Sequence, residues 1–161
     1  MALSAKREYP PLLPAGLHAK TIAELRAMCV DAFPLSTRRD PIMTAMQSML
    51  TSLSIALLRA DVWIDGSFVT EKIEPDDVDL LVVIFDVNKN DTPAQQGVLT
   101  RIAQQQYVFP IKCDSYVNVE YPQGHPNFWL GEYMSAYWLR QFGFARSNQM
   151  KGIPLVRTPI T

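Results

Sequence analysis

Apolar side chains at Ile42, Met46, Met49, Leu50, Leu53 and Leu57 recur at helical spacing and predict the longest helix of the chain. Asp40-Pro41 offers an N-cap followed by proline at the first helical position, and the pattern runs to about Arg59. A Met-rich stripe of this kind reads as plain core packing, because the flexible thioether fills irregular gaps. A shorter helix precedes it. Thr21-Ile22-Ala23-Glu24 has the form of a capping box, and the helix it opens should reach about Phe33 before Pro34 breaks it. Residues Met1 to Ala19 are rich in proline and read as an irregular lead-in.

Beyond Arg59 the period changes. Val62-Trp63-Ile64 predicts a short strand running into Gly66-Ser67. Asp77 to Phe85, DVDLLVVIF, is a second strand, and its continuous apolar half suits a central place in a sheet. Thr92-Pro93 restarts a helix through about Gln105, Ile111 to Val119 is a third strand, and Glu132 to Phe142 is a last helix with Gly143 as its cap. Ile153 to Val156 reads as an edge strand. The order predicts an α/β (α+β) domain, a small mixed β-sheet flanked by helices. The whole chain, 1–161, reads as a single domain with a helical part at about 20–60, a core at about 62–119, and a C-terminal helix and tail at about 130–161.

Composition narrows the classes. Sixteen acidic side chains stand against fifteen Lys and Arg, so strong binding to long nucleic acid is not expected. Cys29 and Cys113 are far apart and form no metal-spaced pair, and His18 and His125 lie in separate Pro/Gly-flanked contexts, so no zinc site can be assembled. The N-terminal stretch has no apolar core of signal-peptide length and no segment approaches a membrane span, so a cytoplasmic location is expected.

The chemistry concentrates between Trp63 and Phe85. Asp77 and Asp79 are two apart at the start of a strand, so both project from one face. Two carboxylates side by side repel unless a cation lies between them, and hard oxygen ligands suit Mg²⁺ (or Mn²⁺). Gly66-Ser67 lets a backbone approach a phosphate and adds a hydroxyl donor, while Lys72 supplies positive charge to the same phosphates.

This segment resembles the signature of the DNA polymerase β-like nucleotidyltransferase superfamily. That signature is an apolar residue, Gly-Gly/Ser, a gap of nine to thirteen, then two acids alternating with apolar residues. Gly66-Ser67 and Asp77-Val78-Asp79-Leu80 fit it with a gap of nine. The resemblance makes Asp114, in Ile111 to Val117, the matching third acid on a later strand. GSFVTEK, PDDVDLLVV, the CDSY strand and YWLRQFGF through KGIPLV are also similar to a family of short bacterial nucleotidyltransferase-like proteins. Asp65 stands where the signature carries an apolar residue, Thr70 where an Arg is common, and Asp76 where Ser is frequent.

The resemblance implies a minimal nucleotidyltransferase fold and Mg²⁺-dependent transfer of a nucleoside monophosphate from an NTP, ATP among them, to a hydroxyl acceptor. Asp77, Asp79 and Asp114 would be the catalytic metal ligands, and Gly66, Ser67 and Lys72 the nucleotide-binding residues. The acceptor would be carried by a small molecule, a protein or an RNA end. A protein partner, as in toxin–antitoxin or phage-defence pairs, is an analogy from small size. Arg140 and Lys151 could reach the phosphates, but residues of this kind read first as structural or solvated. Glu120, Tyr116 and His125 read as ordinary strand and loop residues. The alternative is a catalytically silent nucleotide- or partner-binding module of the same fold. A third class is a structural protein that self-associates through the Met-rich helix or through the aromatic C-terminal helix with Trp129, Tyr133, Tyr137 and Trp138.

Overall fold

The computed structural model describes residues 6–160. Its strands are β1 (Gly16–Ala19), β2 (Ala60–Asp65), β3 (Asp77–Phe85), β4 (Lys112–Glu120) and β5 (Gly152–Thr158). They form one sheet in the order β1-β5-β2-β3-β4. β1 and β5 are parallel, as are β3 and β4, whereas β2 runs antiparallel to both its neighbours. The helices are α1 (Ile22–Arg26), α2 (Arg39–Ile55), α3 (Pro93–Ala103) and α4 (Phe128–Phe142). This is the mixed sheet with flanking helices, an α+β fold, that the patterning predicts. No helix among the described residues is long and apolar enough to cross a membrane.

Strand alternation sorts the core into two layers. Val62, Ile64, Val78, Leu80, Val82 and Ile84 point to one face and pack with Leu25, Met46, Leu50, Leu53 and Ile102 of the first three helices. Met43, Met46 and Met49 are fully buried, so the Met stripe is core. Each such side chain contributes about 2 kcal/mol of burial. Trp63, Leu81, Val83, Ile153 and Leu155 point to the other face, where Phe142 and Trp138 of α4 make a smaller cluster. That smaller layer covers only part of its face, and the acids of β2, β3 and β4 occupy the uncovered end.

The boundaries differ from the patterning in instructive places. The capping box at Thr21 forms, with its hydroxyl accepting from the Glu24 N–H, but the helix widens into a π-type turn at Ala27–Asp31 rather than continuing to Phe33. α2 begins at Arg39, one residue before the expected Asp40 cap. It ends at Ile55, because Leu57 turns to a φ of 54° and the Leu58 N–H returns to the Leu53 carbonyl. β5 is interior instead of an edge, since β1 pairs outside it. β1 lies within the supposed irregular lead-in. Its register pairs Leu17 with Ile153 and Ala19 with Leu155, yet it buries too little to show an apolar pattern. The first five positions of that lead-in lie outside the described residues.

Candidate functional site

The site is assembled where β2 ends and β3 and β4 begin. Register places Asp65 opposite Asp79 and Asp79 opposite Asp114, a row of three acids across neighbouring strands. Asp77 sits two residues before Asp79 on the same face. The sequence-predicted acids are therefore brought to one end of the sheet, joined by Asp65.

Gly66 and Ser67 bind the loop to this row. Gly66 has a φ of 89°, and a Cβ there would stand 2.8 Å from the Asp77 carbonyl oxygen, so the approach of loop to strand requires glycine. Ser67 donates to Asp77 Oδ1 through its N–H (2.8 Å) and its hydroxyl (2.5 Å). The Ser67 hydroxyl oxygen accepts in turn from the N–H groups of Asp76 and Asp77. In this arrangement its donors serve Asp77.

Three of the four acids have a lysine. Lys6 Nζ lies 2.6 Å from Asp77 Oδ2, Lys151 Nζ 2.6 Å from Asp65 Oδ1, and Lys112 Nζ 3.2 Å from Asp114 Oδ2. Among the described residues no side chain pairs with the Asp79 carboxylate. Burial first, and then the charges of Asp65, Asp77 and Asp114, push its pKa up to about 6. Burial also works against ionisation of Asp77, but Lys6 and Ser67 outweigh it and hold that carboxyl at about 2. Burial raises Asp65 above the usual carboxylate range, with Lys151 pulling the other way.

The acids Asp65, Asp77 and Asp79 form the floor of a cleft of about 780 Å³. Its walls carry Lys6, Arg7, Lys72, Arg140, Arg146 and Lys151, contributed by the N-terminal segment, the β2–β3 loop, α4 and the turn between α4 and β5. Lys72 also ion-pairs with Asp76, and Arg140 donates to Asn148. Arg140 and Lys151 thus do reach the site. Asp114 and Lys112 lie outside the cleft lining. Tyr116 stacks on Trp138 at 4.7 Å, and Glu120 accepts from Ser135, so both belong to the α4 layer. His125 stacks on Tyr121 at the opposite end of β4.

The donor chemistry fits a hard divalent cation. Mg²⁺ needs only one or two carboxylates beside phosphates and water, and Asp79 with Asp77 supplies two next to a local deficit of positive charge. Among the described residues no three His, Cys, Asp or Glu side chains are placed to hold a metal ion by themselves.

Two residues of the site escaped the sequence reading. Asp65 appeared only as a departure from a pattern, and nothing local links it to Lys151, eighty-six positions away. Arg39 carries no sequence signal at all. Fully buried at the start of α2, it donates to the carbonyls of Phe68, Thr70, Lys72 and Ile73 and so shapes the loop bearing Ser67.

No curated protein and no solved structure matches the chain. A family profile does match, from residue 6 to residue 157, which takes in every element from β1 to α4 and nearly all of β5. The chain accordingly belongs to DUF6932, a family of unknown function.

Proposed function

We propose that the protein is an Mg²⁺-dependent (or Mn²⁺-dependent) nucleotidyltransferase, moving a nucleoside monophosphate from an NTP to a hydroxyl acceptor. The observation that carries this reading is Asp79, without a side-chain partner among the described residues, flanked in register by Asp65 and Asp114, on the floor of a cleft with six cationic side chains. An acidic floor under cationic walls suits a ligand that brings both a divalent cation and phosphates. A cytoplasmic setting, where both are supplied, belongs to the same reading.

Asp77 and Asp79 would hold the cation, with phosphate oxygens and water completing its shell. Bound there, it would neutralise the triphosphate and polarise the α-phosphoryl group. Lys72, Arg140 and Lys151 would grip the outer phosphates, and Gly66 with Ser67 would keep the loop close to them. The acceptor oxygen then bonds to the α-phosphorus as the bond from that phosphorus to the bridging oxygen breaks. Pyrophosphate leaves, and Asp114 draws the hydroxyl proton.

A second reading has its own observation. Asp65, Asp77 and Asp114 are each paired with a lysine, and the Ser67 donors are taken by Asp77, as expected of a module that binds a nucleotide or partner without turnover. The protein incubated with Mg²⁺ or Mn²⁺ and each labelled NTP, with and without lysate as acceptor source, separates the two. Pyrophosphate release or label transfer that is lost in Asp77→Asn/Asp79→Asn supports the transferase. Metal-dependent nucleotide binding with no turnover under any condition supports the silent module.

A further inference from the structure

Lys151 differs from the other cations of the cleft in how firmly it is held. Its backbone N–H donates to the Gly143 carbonyl at 2.9 Å, and the next N–H, of Gly152, donates to the Leu13 carbonyl at 3.0 Å. A Cβ on Gly152 would stand 2.3 Å from the Pro14 carbonyl oxygen, so glycine is required immediately after Lys151. The Lys151 side chain is 15% exposed and Asp65 only 10%, whereas Lys6 is 42% exposed. Arg7, Arg140 and Arg146 are exposed as well, and Lys72, at 20%, is paired with an Asp76 that is itself 47% exposed. Among the described residues the Lys151 ammonium makes one hydrogen bond, to Asp65, out of the three it can donate. Its side chain lines the cleft.

Asp65 is the unexpected member. It adds a fourth acid to a face already crowded with three, at a buried position where an apolar side chain would serve stability as well or better. Its only ion-pair partner among the described residues is Lys151. An ammonium fixed before the ligand arrives loses less freedom on binding than a lysine waving in solvent.

We infer that Asp65 is a positioning residue that holds the Lys151 ammonium on the cleft wall as a fixed grip for the polyphosphate chain of the ligand. The inference deepens the transferase reading by assigning the polyphosphate to the β2–β5 side of the cleft. It is tested without metal or turnover.

Inorganic tripolyphosphate is titrated, in EDTA, into the full chain and its Lys151→Met, Asp65→Asn and doubly substituted variants, with a thermal melt of each. Lys151→Met should weaken binding about tenfold, the ordinary effect of losing one charge-assisted contact. Coulomb's law alone predicts tighter binding when Asp65→Asn removes an acid, whereas positioning predicts weaker binding. The double variant leaves no unpaired buried charge, so it should melt near the wild type yet bind as weakly as Lys151→Met. Tighter binding by Asp65→Asn, a double variant that binds like the wild type, or a wild type that ignores tripolyphosphate would each overturn the inference. Tripolyphosphate binding with no pyrophosphate release from any NTP would instead sink the transferase reading and leave this one standing.

Discussion

Two charged groups flank the segment that joins β2 to β3, and their surroundings are opposites. The Arg39 guanidinium is fully buried, and each of its five N–H donors meets a backbone carbonyl, those of Cys29, Phe68, Thr70, Lys72 and Ile73, at 2.5–3.2 Å. Its Cζ lies 3.6 Å from the Phe33 ring centroid. The Asp79 carboxylate is partly buried beside three other acids, and among the described residues no cation or donor is bound to it. A chain able to satisfy one buried charge so completely has the means to satisfy the other. That it leaves Asp79 with a surplus of like charge locates the unfavourable electrostatics at the cleft, where a ligand rather than the fold would supply the missing partner.

The strongest way to break this comparison is to remove its satisfied half. Arg39→Met takes the donor from five carbonyl oxygens, those of Cys29 and Phe68 in buried hydrogen bonds, and lets go of the loop that carries Ser67. A loss on the order of 4 kcal/mol is expected, read from urea unfolding. Arg39→Lys keeps the charge but offers three donors in place of five, so it should fall between the two. A Met variant within about 1 kcal/mol of the wild type would mean that the loop does not hang on Arg39.

The unsatisfied half predicts the reverse sign. Asp79 titrates near 6 in the folded chain against an ordinary 3.8, so between those values the folded chain holds more protons than the unfolded one. Stability therefore falls as pH rises from about 4 to 6 and stays reduced above that. Asp79→Asn removes the penalty. It should stabilise the metal-free protein at pH 8 by up to about 3 kcal/mol, with the gain vanishing below pH 4. Asp77 runs the other way: its stabilisation is present above 3.8 and is lost as pH falls toward 2. Unfolding curves of both Asn variants across pH 3–8 test the pair, and an Asp79→Asn protein that is less stable at pH 8 would refute the account.

What could be read from the sequence follows from how local each cause is. β3 was legible end to end because an acid–apolar alternation passes into an unbroken apolar run, a pattern contained in nine residues. Asp77 and Asp79 were legible for the same reason, and Gly66-Ser67 because a strand stops there. β1 was not, since Gly16 to Ala19 is a strand only by virtue of pairing with β5, some 136 positions on in register. Arg39 looked like one more charge at a helix start, because its partners are carbonyls, which leave no trace in side-chain identity. Asp65 and Lys151 needed the antiparallel pairing of β2 with β5 before they could meet.

The smallest expected change in stability carries the finest information about the acidic row. Lys6 Nζ takes Asp77 Oδ2, while Ser67 takes Asp77 Oδ1 with both its N–H and its hydroxyl. Lys6 is substantially exposed, and an exposed pair of this kind adds little to folding, so Lys6→Ala should melt with the wild type. A divalent cation approaching Asp77 from the cleft nevertheless has to displace that ammonium. Lys6→Ala should therefore bind Mn²⁺ a few-fold more tightly by calorimetry, since the competitor is gone and the carboxylate charge remains. Weaker Mn²⁺ binding would mean that the Lys6 segment helps to form the metal-binding arrangement instead of competing with it. The contrast between Arg39 and Asp79 would then have to be redrawn, with the N-terminal segment counted as part of the site rather than as its occupant.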